Sequence, residues 1–221
     1  MNIERKSCMK SIEEQFSYLG IIPVVVLEDV KDALPLAKAL KDAGLPCAEI
    51  TLRTPAAEAS LQEICREYPD MLIGAGTVLT VEQVKRTADA GAKFIVSPGF
   101  DPEIVDYCQG KNIPVFPGCM TPTEVAQAAK RGLKTIKFFP AQQAGGPAMI
   151  KALSAPYPEL KFMPTGGINA LNLREYLTLP SVLCCGGSWM VSQSLIRTGA
   201  FPKISSLAEE ARKIAAASKA V

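Results

Sequence analysis

The run Thr135-Ile136-Lys137-Phe138-Phe139 sets a single amine in an otherwise apolar, strand-forming segment. Alternation along a strand puts Lys137 and Phe139 on one face and Ile136 and Phe138 on the other, so this lysine is no part of a solvated helix surface. It either snorkels from the rim of a sheet or is buried. An amine held away from water and near other cations favours its neutral, nucleophilic form, which can attack a carbonyl. Lys93 and Lys161 stand at the starts of candidate strands and fit snorkelling better. In Ala48-Glu49-Ile50-Thr51-Leu52-Arg53 the same alternation places Glu49, Thr51 and Arg53 opposite Ile50 and Leu52. A carboxylate and a guanidinium then point the same way, either as a polar pair filling space inside the fold or as paired functional groups.

Glycine supplies the remaining chemistry. Pro164-Thr165-Gly166-Gly167 and Gly186-Gly187-Ser188 each let backbone amides approach an anion closely, although a lone Gly-Gly is usually just a turn. Gly74-Ala75-Gly76-Thr77 and Ser97-Pro98-Gly99 leave room for a ligand, and Thr77 offers a hydroxyl to a carboxylate or carbonyl. Histidine is absent, which removes the usual triad base, proton shuttle and commonest zinc ligand. Acid–base work must fall to carboxylate, lysine, tyrosine or cysteine. The cysteines, at 8, 47, 65, 108, 119, 184 and 185, contain no C-x-x-C pair, so they read as reduced, mostly buried thiols without a metal site.

These groups need a frame. Candidate strands begin at Ile21 (IIPVVVL), Cys47 (CAEITL), Met71 (MLIGAGT), Lys93 (KFIVSPG), Ile113 (IPVFPG), Thr135 (TIKFF), Lys161 (KFMPTGG) and Ser181 (SVLCCGG), separated by amphipathic stretches of helical length. Helices stop at glycine just before the next strand, at Gly44, Gly91 and Gly132. Roughly eight β-α units is the number that closes a barrel, so the expected fold is an α/β (β/α)8 TIM barrel with an extra N-terminal helix, in one domain over 1–221. A doubly wound open sheet is the alternative, weakened because no Gly-rich dinucleotide turn follows the first strand. In the barrel, strand ends carry function, and phosphate sites are frequently built after strands seven and eight, the ordinal positions of the two Gly-Gly turns.

Composition narrows the partners. The chain has 221 residues, 48% of them hydrophobic, 21% charged, with a net charge of +2 and interspersed signs, so no extended field draws in nucleic acid or an acidic membrane. A small anion needs only a local positive pocket. The first residues lack a hydrophobic signal core and no later run is long enough to span a bilayer, which leads to an expectation of a cytoplasmic protein.

With EITLRT, GAGTVL, IVSPG, IKFFPA, PTGGI and GGSW in this order from about Ile21 to about Val191, the chain resembles the 2-keto-3-deoxy-6-phosphogluconate (KDPG) and 4-hydroxy-2-oxoglutarate (KHG) aldolases, class I Schiff-base enzymes built as trimeric (β/α)8 barrels. The resemblance implies Lys137 as the imine-forming lysine and Glu49 as general acid/base. It further implies Arg53 and Thr77 as carboxylate binders, Pro98 and Phe139 as pocket residues, and Thr165 at the substrate's hydroxyl region. Gly166, Gly167, Gly186, Gly187 and Ser188 fall on the phosphate loops. A homotrimer acting on a phosphorylated 2-keto acid without cofactor or metal follows from the same likeness. Cys119 and Met120 stand where the family more often carries small or aliphatic residues, a departure that bears on substrate preference. Other readings of the same loops are an aldolase for the 6-phosphogalactonate analogue, a barrel isomerase or decarboxylase without a covalent amine, and a catalytically silent sugar-acid sensor. Lys137 argues against the sensor, because a pure binding site gains little from a desolvated amine.

Overall fold

In the computed structural model, residues 11–218 are described. Short-range signals set the element ends. Helix α1 (Ile12–Leu19) opens with a reciprocal Ser11–Glu14 capping box and closes on Gly20 at φ 73°. Thr80, Asp101 and Thr121 cap α4 (Val81–Asp89), α5 (Pro102–Gly110) and α6 (Pro122–Lys130) by accepting from backbone amides in the first turn. The glycines expected to stop helices do so in the left-handed region, Gly44 at φ 71°, Gly91 at 99° and Gly132 at 73°. The remaining helices are α2 (Ala33–Asp42), α3 (Ala57–Glu67), α7 (Gly146–Ser154), α8 (Leu173–Leu177), α9 (Gln193–Arg197) and α10 (Phe201–Ser218).

Every candidate strand is present but shorter than its apolar run. They are β1 (Ile21–Val25), β2 (Cys47–Thr51), β3 (Leu72–Gly76), β4 (Ile95–Val96), β5 (Val115–Phe116), β6 (Thr135–Phe138), β7 (Lys161–Pro164) and β8 (Cys185–Gly187). Proline explains much of the trimming: Pro98, Pro114 and Pro117 flank β4 and β5 and cannot donate to a ladder. The eighth run divides by partner. Around Val182 it bridges β7, with Leu183 N–H donating to the Phe162 carbonyl at 2.9 Å, whereas Cys185–Gly187 pairs with β1 in register Ile21↔Cys185.

The strands are parallel, in a six-stranded sheet ordered β5-β4-β3-β2-β1-β8 and a two-stranded sheet β6-β7. Single bridges join the two: Gly118↔Lys137 beside β5, and Phe162↔Val182 and Thr165↔Gly186 beside β8. The result is an α/β fold with a curled parallel sheet. No open-sheet dinucleotide turn follows β1, where the chain passes instead into a 3₁₀ turn at Val30–Asp32. Among the described residues no helix is long and apolar enough to cross a membrane.

The N-terminal helix fills the end of the sheet where the strands begin. Its Phe16, fully buried, meets Phe94 edge-on at 5.0 Å between ring centroids and Phe116 at 5.2 Å. Gly74 leaves the space for Phe94, since a Cβ there would overlap the ring. Phe16→Ala is expected to cost about 3–5 kcal/mol of stability, read by urea denaturation. A loss below about 1 kcal/mol would mean that α1 is an appendage rather than part of the core.

Candidate active site

Two charged side chains lie inside the curl. Lys137 on β6 and Glu49 on β2 are 88 residues apart in sequence, and Lys137 Nζ donates to Glu49 Oε1 at 3.3 Å with the side chains 4% and 2% exposed. Glu49 fits because Gly76, at the end of the neighbouring β3, has no side chain: a Cβ there would overlap the Glu49 carboxylate. Lys137 is fixed from both backbone sides, its N–H donating to the Pro117 carbonyl at 2.9 Å and its carbonyl accepting from Cys119 N–H at 2.8 Å. The Lys137 side-chain nitrogen also stands 5.2 Å from the centre of the Phe139 ring, which lies just past the end of β6. Burying such a pair contributes little net stability, because the desolvation of two ions offsets their attraction. Its presence in the buried core therefore argues for chemistry rather than for folding.

Arg53 and Thr77 also come together, Arg53 Nε donating to Thr77 Oγ1 at 3.2 Å. Thr77 sits at φ 57°, a left-handed conformation that a β-branched residue adopts only under constraint. One part of the strand reading needs correction. β2 ends at Thr51, whose buried hydroxyl donates to the Val25 carbonyl at 2.8 Å, so it ties β2 to β1 instead of facing a ligand. Arg53 lies past the strand, in the turn, and reaches the site from there and not by alternation.

A cavity of about 450 Å³ opens at the C-terminal ends of the strands. Arg53, Phe139, Thr165, Gly166, Gly167, Gly186, Gly187 and Ser188 all line it. Lys137, Glu49, Thr77 and Pro98 do not. Lys137 connects to it through Phe139, Glu49 through Lys137, and Thr77 through Arg53. Pro98 is half-buried, with its carbonyl packed where a Cβ on Gly118 would fall, which brings the β4 and β5 strand ends together. The Thr165 hydroxyl is buried without a hydrogen-bond partner, against Gly186, where a Cβ would overlap it. Thr165 itself lines the cavity, and a buried hydroxyl without a protein partner is able to hydrogen-bond there. Gly166 and Gly167, at φ 102° and 74°, form the adjoining turn.

The Cys119 thiol does not compete for the role of nucleophile. Burial, with a smaller contribution from Glu124, pushes the Cys119 thiol next to Lys137 up to about 12, so it stays protonated at neutral pH. Lys93 and Lys161 snorkel at strand starts, donating to the carbonyls of Pro69 at 2.5 Å and Pro180 at 3.0 Å. Sequence reading missed Trp189, which lines the cavity with its ring against Gly187, although the GGSW motif contained it. It also missed Gln142, Asn172 and Tyr176, whose polar groups meet behind the Gly166-Gly167 turn.

The family model described as "Aldolase: KDPG and KHG aldolase" matches residues 12–207. A relative from Treponema pallidum (strain Nichols), named 2-dehydro-3-deoxy-phosphogluconate aldolase, is 47% identical over 206 residues, covering 93% of this chain and 98% of the relative. Among solved structures, KDPG aldolase from Legionella pneumophila, with pyruvate captured as a covalent carbinolamine intermediate, is similar with a TM-score of 0.87 and 43% identity over 89% of this chain and 96% of that one. The 2-keto-3-deoxy-6-phosphogluconate aldolase of Zymomonas mobilis ZM4 with 3-phosphoglycerate gives a TM-score of 0.84 and 36% identity, covering 90% and 94%. Motif order, curled sheet, buried amine and these likenesses agree that the chain belongs to the KDPG and KHG aldolase family.

Proposed function

We propose that the protein is a class I aldolase that cleaves 2-keto-3-deoxy-6-phosphogluconate to pyruvate and glyceraldehyde 3-phosphate, with Lys137 as the imine-forming group. The observation that carries this reading is the buried Lys137–Glu49 contact of 3.3 Å beneath a cavity at the strand ends. The Lys137 amine attacks the C2 carbonyl of the keto acid to give a carbinolamine, and loss of water leaves a protonated imine. Arg53 and Thr77 hold the substrate carboxylate so that C2 lies within reach of the amine. Glu49 takes the proton of the 4-hydroxyl, directly or through a water. The C3–C4 bond then breaks, its electron pair flowing into the imine to give an enamine, and glyceraldehyde 3-phosphate departs. A proton returned to C3 by way of Glu49 restores the imine, and water releases pyruvate and the free amine.

Thr165 supplies its unpartnered hydroxyl to the substrate's hydroxyl region, while Gly166, Gly167, Gly186, Gly187 and Ser188 take the phosphate. Remote binding at the phosphate is then spent on orientation at C2. Phe139 completes the wall, and Pro98 acts from outside it by bringing the β4 and β5 ends together. The same catalytic group serves 4-hydroxy-2-oxoglutarate, a second substrate within the family's name.

The reading includes a closed (β/α)8 barrel in one domain, supported by the bridges at both seams between the two sheets and by a single buried core running from Phe16 to Ala215. It also includes a homotrimer, which rests on the family resemblance alone.

The test is direct. Incubation with pyruvate followed by borohydride reduction should fix a covalent adduct on Lys137, located by peptide mass spectrometry. No adduct, or an adduct on another lysine, would overturn the assignment.

A further inference from the structure

Two adjacent glycines at positive φ are intrinsically mobile, so a Gly166-Gly167 turn becomes a phosphate cradle only if something outside it fixes its peptide planes. Three successive carbonyls of this turn are held from behind. Thr165 and Gly166 accept from the backbone N–H groups of Ala141 and Gln142 at 2.8 and 3.0 Å, and Gly167 accepts from the Asn172 side-chain amide at 3.0 Å. In a trans peptide the N–H points opposite its C=O, so holding the carbonyls of Gly166 and Gly167 outward turns the amides of Gly167 and Ile168 toward the cavity that both residues line.

The third of these contacts depends on side chains, and those are themselves braced. Tyr176, fully buried on α8, donates its hydroxyl to Gln142 Oε1 at 2.8 Å, and Asn172 Nδ2 reaches the same oxygen at 3.5 Å. Gln142 in turn stands where a Cβ on Gly167 would fall, so its position and the turn's are mutually fixed. Asn172 is oriented from its other end, where its Oδ1 accepts from Asn169 N–H at 2.8 Å. Tyr176 could pack as well as Phe if its role were to fill the core. What the hydroxyl adds is its hydrogen bond to Gln142.

We infer that Tyr176, Gln142 and Asn172 form a positioning strut that presets the Gly166-Gly167 turn for a phosphoryl group without touching the substrate. The inference rests on the aldolase reading for the identity of the anion and on the hydrogen bonds alone for the strut. These three are positioning residues, and their effect belongs to the phosphate end of the substrate and not to the amine end.

Tyr176→Phe, which keeps the ring, and Asn172→Ala separate the two ends. Each variant should weaken binding of inorganic phosphate, followed by ³¹P NMR titration, roughly three- to tenfold, the size of one neutral hydrogen bond. KM for the phosphorylated keto acid should rise by a similar factor at nearly constant kcat. The pyruvate concentration that half-saturates borohydride trapping on Lys137 should not change, since pyruvate has no phosphate. Wild-type phosphate affinity in both variants would overturn the strut. So would a loss of pyruvate trapping in step with phosphate binding, because the role would then be generally structural. Absence of the pyruvate adduct in the wild-type protein sinks the aldolase reading instead, whatever the phosphate titration gives.

Discussion

Lys137→Met is expected to abolish the pyruvate adduct and to reduce aldol cleavage on the order of 10⁶-fold, as when the nucleophile of a covalent mechanism is removed. Methionine matches the lysine stem in length and flexibility, so the lost function is the amine and not its packing. The variant has a second effect that a mere rim lysine would not produce. Glu49 is 1% exposed and accepts from Lys137 Nζ. Removing the cation leaves a buried carboxylate without compensation, which should cost about 3–5 kcal/mol. The double variant Lys137→Met/Glu49→Gln removes both charges and should recover most of that stability while remaining inactive. The comparison is made by urea denaturation alongside borohydride trapping. A Lys137→Met protein as stable as wild type would show that the pair is solvated, and one with residual trapping would place the imine on another amine.

Much of the frame is legible because its signals are local. Apolar runs of strand length, amphipathic intervals and glycine stops at 44, 91 and 132 need only neighbours in sequence to act, and the structure has a strand at each expected place. The boundaries are another matter. Nothing local in SVLCCGG says that Val182 will bridge β7 while Cys185 pairs with β1, since that division depends on which strands lie to either side once the sheet has curled. The same dependence explains Arg53. Alternation carries a prediction only while the strand lasts, and β2 ends at Thr51.

The site divides along the same line. A lone amine in an apolar strand is a local anomaly, so Lys137 announces itself, and Glu49 nearly does. Their 3.3 Å contact across 88 residues is a product of curvature and could be anticipated only through the family's motifs. Gly76 reads as a small residue near a strand end, yet its role is to leave the volume that the Glu49 carboxylate fills. Gln142, Asn172 and Tyr176 carry no signal at all, because an amide, an amide and a phenol on a loop and a short helix are ordinary until their polar ends converge on one oxygen. Chemistry at an unusual residue can be read from sequence. Support by usual residues cannot.

Glu49→Gln should leave the imine and remove the proton traffic, the opposite pattern to Lys137→Met. The glutamine amide has the shape of the carboxylate, fits the space left by Gly76, and its oxygen can still accept from Lys137 Nζ, so the fold and the trapped pyruvate adduct should persist. What it cannot do is take the proton of the 4-hydroxyl or pass one to and from C3 of the enamine. General acid–base contributions of this kind are worth about 10² to 10⁴ in rate, and kcat for cleavage should fall by that factor. A second measurement isolates the same proton transfer without the phosphorylated substrate: in D₂O the enzyme should wash deuterium into the methyl group of pyruvate through reversible enamine formation, seen by loss of the ¹H methyl signal. In Glu49→Gln that exchange should slow in parallel with cleavage while adduct formation stays within about tenfold of wild type, as expected if the variant spares carbonyl addition. Full exchange in the variant would move the acid–base role to another group. Equal loss of exchange and adduct would mean that Glu49 acts by placing Lys137 and not by moving protons.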